Sequence, residues 1–234
     1  MAKTIVFSLG GSLIAPDRID TKFLAAFRRV ILRFVQGGRR GRGAGNRAII
    51  ICGGGNTART YAKAARTVNR TLTSEQLDWL GIETTRLNAW LVRDVFGGMA
   101  EYELLYNPTV RIHTKKRIIV GSGWKPGCSS DKDAVLAAKT YGVKTVVNLS
   151  NIDYVYDRDP RKFKHVKSLP SLTWGEFQKI VGRTWRPGAH VPFDPVASRL
   201  AHRTGLKLVI MRGSNLENLK SFLANKKFRG TLVA

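Results

Sequence analysis

The sequence predicts an α/β protein, a three-layer αβα sandwich around a mostly parallel central sheet. Three observations carry that expectation. Short apolar runs rich in β-branched residues alternate with longer helix-like stretches along the 234 residues. The runs are apolar throughout, as strands covered on both faces are. The strand–helix order continues without an internal repeat or an interdomain linker, which predicts one domain over residues 1–234.

Taken in order, the first strand is Thr4–Leu9, a β-branched and aromatic run that ends at Gly10-Gly11-Ser12. A lysine precedes it, but the glycines interrupt the apolar run too early for a signal peptide, so it reads as a buried strand of a soluble protein. Strands follow at Ala48–Cys52, Arg117–Val120, Thr145–Leu149 and Lys207–Met211. The stretches between them predict helices over Thr21–Phe34, Thr57–Val68, Ser74–Phe96, Asp131–Tyr141, Thr173–Val181 and Pro195–Thr204. No run approaches the ~18 apolar residues that a membrane-spanning helix needs.

Composition narrows the function classes. Apolar residues make up 43% of the chain, which is the balance of a folding domain. Cys52 and Cys128 are too few for a disulfide framework and too far apart for a CxxC motif, which fits a reducing cytoplasm. The four histidines have no metal-ligand spacing, so no protein-held metal is expected. The net charge is +24, a field that attracts nucleotides and any polyanion. Residues 37–47 concentrate glycine and arginine, so they read as a mobile basic loop, solvated or in secondary contact with nucleic acid.

The chemistry gathers at three glycine-rich turns, each after a strand: Gly10-Gly11-Ser12, Gly53-Gly54-Gly55 and Gly121-Ser122-Gly123. In a parallel sheet these lie together at the carboxyl ends of the strands, where open α/β folds bind ligands. Glycine lets backbone amides approach a phosphate closely. Neither GxxxxGK[ST] nor GxGxxG is present. Arg59 follows the second turn within reach of a bound phosphate. Asp131-Lys132-Asp133 opens a helix after Pro126-Gly127-Cys128-Ser129-Ser130, where acids can cap the helix or order cations and magnesium near a phosphoryl group.

These residues, with the stretch Asp78–Ala89, the turn Asn151-Ile152-Asp153-Tyr154-Val155-Tyr156-Asp157-Arg158-Asp159-Pro160 and Phe193–Ala197, stand in an order that resembles the UMP kinases of the amino-acid-kinase family, archaeal-type branch. The resemblance implies phosphoryl transfer from ATP to UMP, with magnesium, in a hexamer built as a trimer of dimers. It implies that Gly10, Gly11, Ser12, Gly55 and Arg59 hold ATP phosphates, and that Ser150, Asn151, Tyr156 and Asp159 surround its adenosine. Gly54 would touch the UMP phosphate, Asp78 the ribose, and Trp124, Lys125, Pro126, Gly127, Cys128, Ser129 and Ser130 the rest of the acceptor. Arg59, Asp131 and Lys132 would be the catalytic group.

Three departures stand out. Ser8 occupies a place where many relatives have a lysine, so Lys125 or Lys132, assisted by Arg59, must supply the charge. Tyr154 replaces a usual glycine, and the 37–47 segment is longer and more basic than in relatives. Two other readings stay open: a family kinase with a carboxylate, carbamate or isopentenyl phosphate acceptor, and a degenerate kinase that binds RNA.

Overall fold

Side chains of an extended strand alternate between its faces, and Thr4–Leu9 (β1) fills both. Ile5, Phe7 and Leu9 pack into one core cluster and Val6 into a second, on the opposite side. Arg47–Cys52 (β2) repeats the division, with Ala48, Ile50 and Cys52 on the first side and Ile49 and Ile51 on the second. An all-apolar strand therefore needs a helical layer on each face.

The computed structural model describes residues 2–37, 45–184 and 191–234. After β1 come Gly11–Ile14 (α1), Thr21–Gln36 (α2), β2, Gly55–Val68 (α3), Ser74–Phe96 (α4) and Ile118–Gly121 (β3). Next are Ser130–Tyr141 (α5), Thr145–Ser150 (β4), Val155–Tyr156 (β5), Ser168–Leu169 (β6), Ser171–Leu172 (β7) and Trp174–Val181 (α6). Pro195–Arg203 (α7), Lys207–Arg212 (β8), Leu216–Leu223 (α8) and Thr231–Val233 (β9) complete the order.

Seven strands form one sheet in the order β3-β2-β1-β4-β8-β9-β7, and β5 pairs with β6 outside it. All pairings from β3 across to β8 are parallel, whereas β9 runs antiparallel to β8. Residues of α2, α4 and α8 cover the first face, and residues of α5, α6 and α7 the second. The chain steps from β1 outward to β2 and β3, then returns with β4 on the other side of β1. That reversal leaves the carboxyl ends of β2, β1 and β4 side by side at an open edge.

Local chemistry sets the boundaries that matter for this edge. Thr73 and Gln76 form a reciprocal capping box at the start of α4, and Gly97, with φ of 54°, ends it. Ser129 caps α5 by accepting from the Lys132 amide, and Gly142 closes it in the left-handed conformation. Asp194 caps α7 through the amides of Val196 and Ala197, with Pro195 at the first helical position.

Two expectations are corrected here. The sequence reading has no counterpart for α1 or α8, short helices of four and eight residues with too few turns to show periodicity. Residues 38–44 of the basic segment lie outside the described residues, but its end is not a mobile loop. Asn46 accepts from the Lys3 amide and donates to the Phe34 carbonyl, both at 2.9 Å. Arg47 opens β2 and donates to the carbonyls of Thr114 and Lys116. Among the described residues no helix is long and apolar enough to cross a membrane.

Ile50 is fully buried on β2, between β3 and β1. Ile50→Ala is expected to cost about 2–5 kcal/mol through lost transfer energy and a residual cavity. Urea denaturation should show a lower midpoint with an unchanged slope.

Candidate active site

The turns after β1 and β2 touch through their backbones. A Cβ on Gly11 would lie 2.2 Å from the Gly55 nitrogen and 2.4 Å from the Gly53 oxygen. Gly55 has φ of +66°, and a Cβ there would lie 2.3 Å from the Gly11 carbonyl carbon. Only glycine at both positions permits this contact, which sets the two turns against each other at the strand ends. Gly10 also donates to the Leu149 carbonyl at 3.1 Å, joining the first turn to the end of β4. Arg59, on α3, reaches back across the contact to Ser12 Oγ at 3.4 Å.

One face of α4 fastens the loops around these turns. Asn88 is buried and donates its amide to the Gly53 carbonyl at 2.8 Å. Thr85 Oγ1 accepts from the Gly123 amide at 2.7 Å. Asp78 accepts from the Gly127 amide at 2.9 Å. Asp78, Thr85 and Asn88 are seven and three residues apart, a spacing that keeps them on one side of a helix. Between α3, α4 and the 123–130 loop lies a cleft of about 770 Å³, lined among others by Gly54, Gly55, Arg59, Asp78, Cys128, Ser129 and Ser130.

Beneath that loop sits a group of three acids. Asp131 Oδ1 accepts from Ser8 Oγ at 2.9 Å and from Asn148 Nδ2 at 3.2 Å, while Oδ2 accepts from the Asp194 amide at 3.2 Å. The residue as a whole is half-buried, but protein atoms enclose its carboxylate, and burial pushes the carboxyl up to about 6. Ser8 thus turns its hydroxyl to Asp131 where a lysine would place a cation. Asp133 is fully buried, with Oδ2 accepting from the Trp124 amide at 3.2 Å and Oδ1 unpartnered. Burial raises its carboxyl to about 7, and the Lys132 charge offsets only part of that. Asp194 accepts from Ser129 Oγ as well as capping α7.

A family model described as the amino acid kinase family matches residues 3–212. The chain belongs to the amino acid kinase family. A uridylate kinase from Methanospirillum hungatei is 34% identical over 98% of this chain and 94% of its own. A uridylate kinase from Thermoplasma volcanium is 31% identical over 97% of this chain and 95% of its own. Among solved structures, the uridylate kinase from Archaeoglobus fulgidus superposes with a TM-score of 0.83 at 26% identity, covering 98% of this chain and 99% of that one.

Within this amino acid kinase, the glycine residues, Ser12, Arg59, Asp78 and the 124–130 segment do converge on one edge. Lys125 lies over the Trp124 ring at 4.2 Å from its centre. Ser150 ends β4 and Asn151 follows it directly, and half-buried Tyr156 lies in the β5–β6 pair. Asp159 is committed to Arg161 through two side-chain contacts of 3.0 and 2.9 Å, which pull its carboxyl down to about 2. Asp131 meets only neutral donors among its hydrogen-bond partners, and the helix-capping task at α5 falls to Ser129. The sequence reading assigned no role to Thr85, Asn88 or Asp194, and it took Asp133 with Asp131 as a helix-capping or cation-ordering acid, whereas Asp133 is buried against the Trp124 amide. Of the first three, only the Asp194-Pro195 pair carries a local signal, that of a helix start.

Asn88→Ala should leave the Gly53 carbonyl without its buried donor at a cost of about 1–3 kcal/mol, measurable by thermal unfolding. Asp133 supplies a test by pH. It keeps a proton in the folded state to about 7, where the unfolded chain loses it near 3.8. Its stabilising contribution is therefore complete below the unfolded value and is lost as pH rises through the folded one. Wild type minus Asp133→Asn should show stability declining between about pH 4 and 7; a flat difference would refute the assignment.

Proposed function

We propose that the protein is a UMP kinase, transferring the γ-phosphoryl of ATP to UMP and releasing UDP and ADP. The observation that carries the reading is the position of Arg59, which lines the cleft bounded by Asp78 and the 128–130 segment while contacting Ser12 on the neighbouring turn. A cation placed there serves both a donor at the first turn and an acceptor in the cleft. The names of the relatives support UMP as that acceptor.

In this reading ATP phosphates lie against Gly10, Gly11, Ser12 and Gly55, with the adenosine toward Ser150, Asn151, Tyr156 and Asp159. The UMP phosphate meets Gly54, its ribose Asp78, and its base the Trp124–Ser130 segment. The attacking phosphate oxygen is already anionic, so no side-chain base is required. Positioning and charge neutralisation carry the reaction. Arg59, with Lys132 beside Cys128 and Asp133, spreads positive charge over the transferring group.

Among the described residues no group of three or more His, Cys, Asp or Glu is arranged to hold a metal. Magnesium keeps several waters and is bound largely through substrate phosphates, so the donor set fits an ion carried in on ATP, with Asp131 as the protein carboxylate on hand. When bound, the ion supplies further neutralisation of phosphate charge.

The same reading places the enzyme in the cytoplasm as a homo-oligomer, a hexamer of three dimers. Exposed Tyr61, Val68, Leu87 and Tyr102 support buried contacts between copies.

ADP release should be followed with ATP, Mg²⁺ and UMP, CMP, dUMP, carbamate, acetylglutamate or isopentenyl phosphate in turn. UMP is expected to give the highest kcat/KM. Arg59→Ala is expected to lower kcat by about 10²–10³, the scale of removing one preorganised charge donor. Turnover of the variant within a few-fold of wild type removes Arg59 from the mechanism.

A further inference from the structure

The cleft is longer on its α3 side than the acceptor phosphate requires, and that wall is cationic. Lys63 and Arg66 follow Arg59 along the pocket-facing side of α3, and Arg70 extends the row past the helix end. At ~1.5 Å rise per residue, Lys63 stands ~6 Å and Arg66 ~10.5 Å beyond Arg59 along the helix axis. Like charges at this spacing repel one another in the empty protein.

No acid in the protein balances the row. The one carboxylate lining the cleft is Asp78, which already accepts from the Gly127 amide. The five ion pairs among the described residues use none of Lys63, Arg66 and Arg70. The remaining residues, 1, 38–44 and 185–190, contain no Asp or Glu. A row of unbalanced cations on the wall of a cleft is the arrangement of a site for an anion.

The row's position identifies which anion. Ser74 and Asp78 lie one helical turn apart on α4, across the cleft from the row. With the acceptor phosphate read at Arg59 and the ribose at Asp78, the Lys63–Arg70 end of the cleft is left for a group on the 3′ side of the sugar. We propose that Lys63, Arg66 and Arg70 form a second anion subsite, which takes a phosphoryl group on the 3′ side of an acceptor nucleotide. This rests on the reading of the cleft as a nucleotide acceptor site. The acceptor class then includes nucleoside 3′,5′-bisphosphates and 5′-phosphorylated oligonucleotides, whose 5′-phosphate is the group that meets Arg59.

Calorimetric titration of the full chain with UMP and with uridine 3′,5′-bisphosphate, at 50 mM and 200 mM salt, tests the subsite independently of turnover. The bisphosphate is expected to bind about tenfold tighter than UMP at low salt, with the advantage shrinking at high salt as surface charge is screened. Lys63→Ala/Arg66→Ala/Arg70→Ala should abolish the advantage, and Lys63→Arg/Arg66→Lys/Arg70→Lys should retain it. All three residues are exposed, so the variants keep the core intact. A 5′-phosphorylated diuridylate separates the sources: an equal gain shows that the subsite takes a diester, a gain confined to the bisphosphate that it takes a terminal monoester. Equal affinity of wild type for UMP and the bisphosphate, or an advantage that survives the triple alanine variant, overturns the proposal. Failure of the kinase reading shows separately, as absence of ADP release with UMP from a protein that still prefers the bisphosphate.

Discussion

The close approach of Gly11 and Gly55 is the constraint on which the site depends. Parallel pairing of β1 with β2 brings Leu9 opposite Cys52, so the two chains leave the sheet at the same level. Their turns then have to share space that holds two backbones and no Cβ atoms. Packing of that kind is rigid, because backbone cannot swing aside as a side chain can. The amides of both turns are thereby fixed relative to the sheet before any ligand arrives, which is the condition for preorganised binding of phosphate charge.

Around this contact the structure uses α4 as a bracket and buried acids as fasteners. Three polar residues of α4 hold two loops, one at Gly53 and the other at Gly123 and Gly127, so the helix transmits the position of the sheet to the cleft. On the other flank, Asp131, Asp133 and Asp194 hold backbone amides and hydroxyls that belong to separate elements. Acids in such numbers with neutral partners are costly to bury in charged form, and the raised carboxyls of Asp131 and Asp133 are the result. Ser8 belongs to this arrangement: it gives Asp131 a neutral hydrogen-bond donor and not a cation, which leaves the positive charge of the site on its rim.

Much of the architecture was legible in the sequence because its signals are local. The run Thr4–Leu9 and the helix Ser74–Phe96 are bounded by glycine turns and by a capping box, and both occur at the expected limits. The glycine turns, also local signals, stand at the strand ends beside the cleft, as expected. What stayed hidden depends on partners far apart in the chain. Nothing near Asn88 reveals that it reaches Gly53, and nothing near Asp133 separates a buried carboxyl from a first-turn helix acid. Arg47 was read with the glycine-rich segment before it, although the carbonyls that anchor it come from Thr114 and Lys116. Asp159 was assigned to adenosine, and its two short contacts with Arg161 are the sort that a turn after Asp-Pro makes on its own account.

Asp78 has a consequence of a different order. One of its oxygens is already engaged by the Gly127 amide, so the other remains for the proposed ribose contact. A carboxylate that serves a loop and a ligand at once makes the two events share one free energy. Whatever draws the Gly127 loop toward Asp78 changes sugar affinity by some factor, and the sugar must then shift the loop equilibrium by the same factor, since such coupling is reciprocal. On the proposed ribose contact, sugar identity and base-loop geometry are therefore not independently adjustable. A change selected for one is felt by the other through a single side chain.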